Sequence, residues 1–255
     1  MAAAPVTKET DQQPMLYPII LVIVCLLIGL SKGGLGAALA VLAVPLLSQV
    51  MPVSAAQGVA LPLLIVADWF ALWAYRGTWN MHYIWRTIPF ATIGIVVGTA
   101  LLTGLPNQTL KHIVALFTLF FVLYRLFGDR LMTAEYQPRT WHAYFAGAVS
   151  GLGSALANVG GPPFTAYMLL QKLEPLPFVG TITLFFAIVN ALKLPGLMIA
   201  GIFDFSRLIS MIWVLPVLPI GVWIGRYVIK RINQRVFERF MLVMLVLTAL
   251  ILLFG

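Results

Sequence analysis

Apolar residues run along this chain in blocks of helix length, separated by short polar or proline- and glycine-bearing punctuation. In the first half the blocks occupy residues 16–31, 34–48, 55–75, 84–103 and 110–127, and in the second half 141–158, 161–171, 178–201, 208–229 and 235–255. A helix needs roughly 20 apolar residues to cross about 30 Å of hydrocarbon, and most blocks approach that length. The short ones are informative. Residues 161–171 rise only about 16 Å as a helix, too little to cross, and 34–48 is short as well. Each half is therefore predicted to carry a broken or re-entrant element near its start.

The two halves match each other. Sliding the chain over itself by 127 positions lays Gly33-Gly34 on Gly160-Gly161, and Pro89, Gly94 and Gly98 on Pro216, Gly221 and Gly225. Leu126-Phe127-Gly128 falls on Leu253-Phe254-Gly255 at the same offset, and Asn107-Gln108 falls on Asn233-Gln234 at an offset one residue shorter. Ordered matches at constant offset read as an internal duplication. An odd number of segments per copy turns the second copy upside down. The predicted fold is all-α and polytopic, with two inverted repeats, each having about three full crossings plus a broken or re-entrant helical hairpin. The expected divisions are a polar tail over 1–15, repeat 1 over 16–128, a cytoplasmic linker over 129–140 and repeat 2 over 141–255.

Composition agrees with this reading and excludes others. The 255 residues are 61% hydrophobic and only 9% charged, against roughly 25% charged in a soluble domain. The polar stretches 1–14 and 128–140 are too short to build a separate core, so no soluble catalytic or nucleic-acid-binding domain is expected. The tail carries Lys8 against Glu9 and Asp11, which is a poor signal-peptide charge, and the first block is read as a retained helix. A single cysteine, Cys25, rules out an intrachain disulfide or a thiolate metal cluster.

The net charge of +8 is read loop by loop. One side of the membrane would hold eleven basic residues: Arg76, Arg86, Arg125, Arg130, Arg139, Lys172, Arg226, Lys230, Arg231, Arg235 and Arg239. The other holds Lys8, Lys111 and Arg207. The positive-inside rule makes the first side cytoplasmic. The expected location is the cell inner membrane, multi-pass, with both termini outside the cytoplasm.

Two glycine-rich stretches open the two halves. The first reads Gly29-Leu-Ser-Lys-Gly-Gly-Leu-Gly36 and runs on to Pro45-Leu46; the second runs Gly151-Leu-Gly-Ser-Ala-Leu-Ala-Asn-Val-Gly-Gly-Pro-Pro163. In this paired placement the whole chain resembles the sulfite exporter TauE/SafE family, also called the 4-toluene sulfonate uptake permeases. Ala37 and Ala38, where the glycine run would continue, and the charged Lys32 depart from the usual pattern. The resemblance implies a multi-pass permease for small anions such as sulfite, sulfonates, sulfoacetate or a related carboxylated anion.

The residues at the breaks suit that chemistry. An anion leaving water must exchange its hydration for fixed donors, and the N-terminus of a broken helix presents free N–H groups and a favourable dipole. Pro162 and Pro163 stand where a half-helix would begin. The candidate substrate-binding residues are Ser31, Lys32, Gly33, Gly34, Ser154, Asn158, Gly160, Gly161, Thr165 and Tyr167. Asn158 is the first choice, because a buried amide is costly without a partner. The competing readings are that the glycines serve close packing, that Asn158 caps a helix, and that Lys32 snorkels to the interface.

Asp68, Asn190 and Lys193 fall in the third segments of the two copies. Asp68 and Lys193 are expected either to form a structural charge pair or to take part in coupling. Two intramembrane lysines against one aspartate favour an anion. Gln57 is placed close to the interface, and the repeated Pro-x4-Gly-x3-Gly pattern is assigned to helix packing. Trp79, Trp85 and Trp141 are expected at membrane edges, and Trp69 in deeper packing.

His82, His112 and His142 share no helical face, so no metal is expected, and nothing calls for a cofactor. No phosphate-cradling loop points to an ATP-driven pump. The leading function is a secondary transporter or facilitator that moves a small anion by alternating access. Its partners are that anion and the lipid bilayer, with no nucleic acid, and a homo-oligomer is left open. The alternative is an intramembrane enzyme or assembly factor handling a lipid or sulfur species, with Asp68 and Lys32 or Lys193 as an acid/base pair.

Overall fold

The structure, a computed structural model, describes residues 16–35, 38–131, 139–171, 173–203 and 205–228, together with 243, 246–247, 249–250 and 253–254. The polar tail, most of the linker and most of the last apolar block lie outside the described residues.

Every regular element among the described residues is helical. The first half comprises α1 (Leu16–Leu30), a π-helical turn (Ser31–Leu35), α2 (Ala38–Val41), α3 (Ala43–Leu47), α4 (Val53–Ala74), α5 (Met81–Gly104) and α6 (Asn107–Leu131). The second comprises α7 (Thr140–Ala157), α8 (Gly161–Leu169), α9 (Pro175–Ile199), α10 (Phe205–Ser210), a 3-10 turn (Ile212–Val214) and α11 (Val217–Val228). Among the described residues, four stretches are long and apolar enough to cross a membrane: Leu16–Gly33, Val53–Ala74, Met81–Gly104 and Pro177–Ile199. A fifth, Leu208–Val214 with Val217–Gly225, is bent by 45°.

That bend departs from the single helix expected over 208–229. Its counterpart α5 holds Pro89 without interruption, whereas here Pro216 and Pro219 stand three residues apart, and each lacks the N–H that would continue a helix. The short elements fall where expected, with α2 and α3 after the first glycine pair and the nine-residue α8 after the second.

The helices pack reciprocally between the halves. α5 of the first half lies along α7 of the second, and α1 of the first along α11 of the second. Both seams run on glycine. A Cβ on Gly94 would stand 2.1 Å from the Ala148 carbonyl oxygen, and one on Gly151 2.1 Å from that of Ala91. In the other seam, Cβ atoms on Gly29 and Gly33 would stand 2.5 Å from the carbonyl oxygens of Leu218 and Val222. Gly221 and Gly225, the counterparts of Gly94 and Gly98, face Leu26 and Leu30 there. Lipid tails are as apolar as leucine, so close backbone contact of this kind replaces the hydrophobic effect as the force between membrane helices.

The two third helices, α4 and α9, meet at the centre in opposite directions. Gly58 abuts Ile202, while Asp68, ten residues on, meets Asn190, twelve residues back. Side chains tie the helix ends: the Asn107 side-chain oxygen accepts the Val53 N–H at 3.0 Å, and Thr181 Oγ1 accepts the Asn80 N–H at 2.8 Å.

Apolar side chains fill two regions. One centres on Leu21, Ile28, Leu47, Leu61 and Leu218, and the other on Ile84, Phe164, Met168 and Phe185, with Phe164 and Phe185 stacked 3.6 Å apart. Trp69 is not a deep packing residue. It is 76% exposed and, with Trp73, Trp85 and Trp223, faces outward from the helices, as amphipathic rings do in a bilayer.

Candidate functional site

The polar side chains of the interior converge where α4 and α9 cross the end of α7. Charged groups are rarely fully buried without partners, so their contacts define the site. Asp68, on α4, takes Lys32 of the π turn as its ion-pair partner. Its other carboxylate oxygen accepts Asn190 Nδ2 at 2.6 Å. Asp68, Asn190 and Lys193 are all buried.

Lys193 does not contact Asp68 directly, contrary to the expected pair. Its Nζ donates to Asn158 Oδ1 at 2.8 Å and to the Ser154 carbonyl at 3.2 Å. The reason is geometric: Lys193 lies nearly one turn beyond Asn190, which takes the position facing Asp68 and leaves Lys193 at the end of α7. That end carries the negative pole of the helix dipole and unpaired carbonyls. Among the described residues Lys193 has no carboxylate within ion-pair distance.

Asn158 ends α7 in the left-handed region, at φ 58°. Its N–H donates to the Ser154 carbonyl at 3.1 Å, and the Val159 N–H to that of Gly153 at 3.0 Å. Glycine is the common residue at such an end, and asparagine is one of the few others that tolerate it. Here it adds an amide. Because Lys193 has only hydrogens to give, the oxygen of that amide must face it. The nitrogen, Nδ2, is then buried with no partner among the described residues.

Gln57, expected close to the membrane interface, is fully buried against the end of α7 and adds to the cluster. Nε2 donates to the Ser154 carbonyl at 2.9 Å and also to that of Ala155, which leaves Oε1 buried and unpartnered. Ser150 Oγ, two turns before Asn158 on α7, and Thr99 Oγ1, packed beside Gly196 of α9, are unpartnered as well.

This geometry can hold an oxyanion. A buried ammonium without a counter-ion and a free amide N–H beside it supply charge and a directed donor.

A family model for sulfite exporter TauE/SafE matches residues 21–252. The chain belongs to the TauE/SafE family. No curated protein and no solved structure matches it. TauE/SafE is a family of transporters. The protein is therefore a small-anion transporter with several passes through the inner membrane, and the enzyme alternative is set aside.

Within this TauE/SafE chain the expected site residues divide. Lys32, Asp68, Asn190, Lys193, Asn158 and Ser154 come together. Gly33 packs against α11, and Gly160 lies over the Ser150 carbonyl and the Ser154 side chain. Gly34 belongs to the π turn, and Ser31 begins it in a buried position. Gly161 starts α8. Tyr167 faces the other way, into the aromatic core with Tyr83 and Phe164, and Thr165 stays half-buried on the same helix. Ser150, Thr99 and Gln57 carried no signal beyond polarity within an apolar block.

Proposed function

We propose that this TauE/SafE protein is a secondary carrier for a small sulfur-containing or related organic anion, which binds at Lys193 and Asn158 Nδ2. The observation that carries the reading is the buried Lys193 ammonium, balanced by a helix end and an amide oxygen rather than by a carboxylate. Such a site is short of one negative charge, and the transported anion supplies it. Lys32, Asp68 and Asn190 hold the neighbouring charges in register.

The carrier works by alternating access between two inverted repeats. The reciprocal α5–α7 and α1–α11 seams and the opposed course of α4 and α9 support this arrangement, since equivalent helices of inverted copies must run in opposite directions. The site lies where these elements meet.

Flux in proteoliposomes tests the proposal. Purified protein should carry labelled sulfite, a sulfonate or sulfoacetate. Lys193→Met should cut that flux by tenfold or more with folded protein still recovered, because it removes a charge that is costly to bury without a carboxylate partner. Absence of flux for every small anion, or full flux in Lys193→Met, would overturn it.

A further inference from the structure

Resting on the proposed anion site, the polar groups left over at it specify the anion further. We infer that the preferred substrate is a singly charged oxyanion carrying its own O–H donor, which Gln57 Oε1 accepts. Three observations lead there.

The first is charge. With both lysines protonated and Asp68 ionised, the cluster of Lys32, Asp68 and Lys193 carries one net positive charge, which a monoanion neutralises and a dianion overshoots. The second is the type of the unpartnered atoms. Asn158 Nδ2 only donates, which suits an anion's oxygens, but Gln57 Oε1 only accepts. A fully deprotonated sulfite, sulfate or unsubstituted sulfonate offers oxygens alone and would face that carbonyl with like partial charge.

The third is the orientation of Gln57. Its nitrogen is committed to two α7 carbonyls, those of Ser154 and Ala155, so the amide cannot turn to present a donor instead. Gln57 and Lys193 both donate to the Ser154 carbonyl, at 2.9 and 3.2 Å. The acceptor and the cation are thus neighbours around one atom. Ser150 Oγ and Thr99 Oγ1, also unpartnered, can donate or accept.

Two sources of such a donor exist: the acidic O–H of hydrogen sulfite and the hydroxyl of a short hydroxyalkyl sulfonate. The penalty for a partner left bare is large when a site is built for a hydrogen bond. In proteoliposomes, 2-hydroxyethanesulfonate should compete for transport at least tenfold better than the isosteric propanesulfonate if the hydroxyl source is right. If the acid source is right, sulfite flux relative to propanesulfonate flux should fall as rising pH converts hydrogen sulfite to the dianion. The propanesulfonate flux, measured at the same pH, is the reference for changes in the protein itself. In Gln57→Met whichever preference is found should shrink towards one.

Equal handling of the isosteres together with a pH-independent ratio in the wild type overturns the inference without recourse to any variant. So does a preference that survives in Gln57→Met, which would make Gln57 a cap for α7 alone. Loss of all anion flux in the wild type would instead be a failure of the carrier reading itself.

Discussion

At the scale of the residue, Asn158 serves two purposes that a single substitution can separate. Its left-handed backbone at φ 58° closes α7, and its amide meets Lys193. Alanine would remove the amide and also force a Cβ-bearing, non-polar residue into a conformation costing roughly 1–2 kcal/mol. Glycine removes the amide and keeps the turn. Asn158→Gly should therefore preserve yield and melting temperature while weakening anion affinity about ten- to a hundredfold, the worth of a hydrogen bond to a charged group. Asn158→Ala should lose both. Equal affinity in Asn158→Gly and wild type, read by competition of labelled anion, would leave Asn158 as a helix cap. That Asn158, Lys193 and Asp68 need polar partners was legible in the sequence, because polar residues inside apolar blocks stand out by cost alone. Their pairing was not. Which lysine reaches Asp68 depends on how α4 and α9 cross, and Gln57 looked interfacial because its helix begins only four residues earlier.

At the scale of the element, glycine spacing was the most readable feature. The matched Pro-x4-Gly-x3-Gly patterns announced packing surfaces, and the structure sets each against the first helix of the opposite half. What spacing could not tell was the partner, since a helix face names its own small residues and not those it meets. Trp69 was misplaced for a related reason: within an all-apolar block, lipid-facing and protein-facing positions carry the same hydrophobicity. The seam itself makes a sharp contrast. A Cβ on Gly94 would lie 2.1 Å from the Ala148 carbonyl oxygen, while around Gly104, at the end of the same helix, nothing lies within 4 Å. Gly94→Ala should cost at least the 1–3 kcal/mol typical of overpacking, and Gly104→Ala should be neutral or slightly stabilising. Thermal unfolding of the detergent-solubilised variants checks both, and comparable melting temperatures for the pair would mean that the α5–α7 seam is looser than described.

At the scale of the whole molecule, the arrangement supports a definite orientation. α5 runs parallel to α7 and α1 parallel to α11, because their glycine contacts advance in the same direction. The start of α5 lies beside the start of α9 through Asn80 and Thr181, which puts Arg76 and Arg86 at that shared end, in keeping with the charge distribution. We propose that this side is the cytoplasm. Cys25 is fully buried and is the chain's single cysteine, so introduced thiols can be read against a silent background. Cysteine at the exposed Gln108 should react with an impermeant thiol reagent added to intact cells, and cysteine at the exposed His82 should react only after permeabilisation. The reverse pattern would turn the molecule over.

The unbalanced ammonium of Lys193 also has an electrical meaning. Moving one elementary charge through the membrane potential is worth about 2.3 kcal/mol per 100 mV. In the proposed site with Lys193 protonated, the loaded carrier is neutral and crosses the field without work, whereas the empty one is positive. Exchange of one anion for another should then be indifferent to an imposed potential in proteoliposomes, while net flux should respond to it.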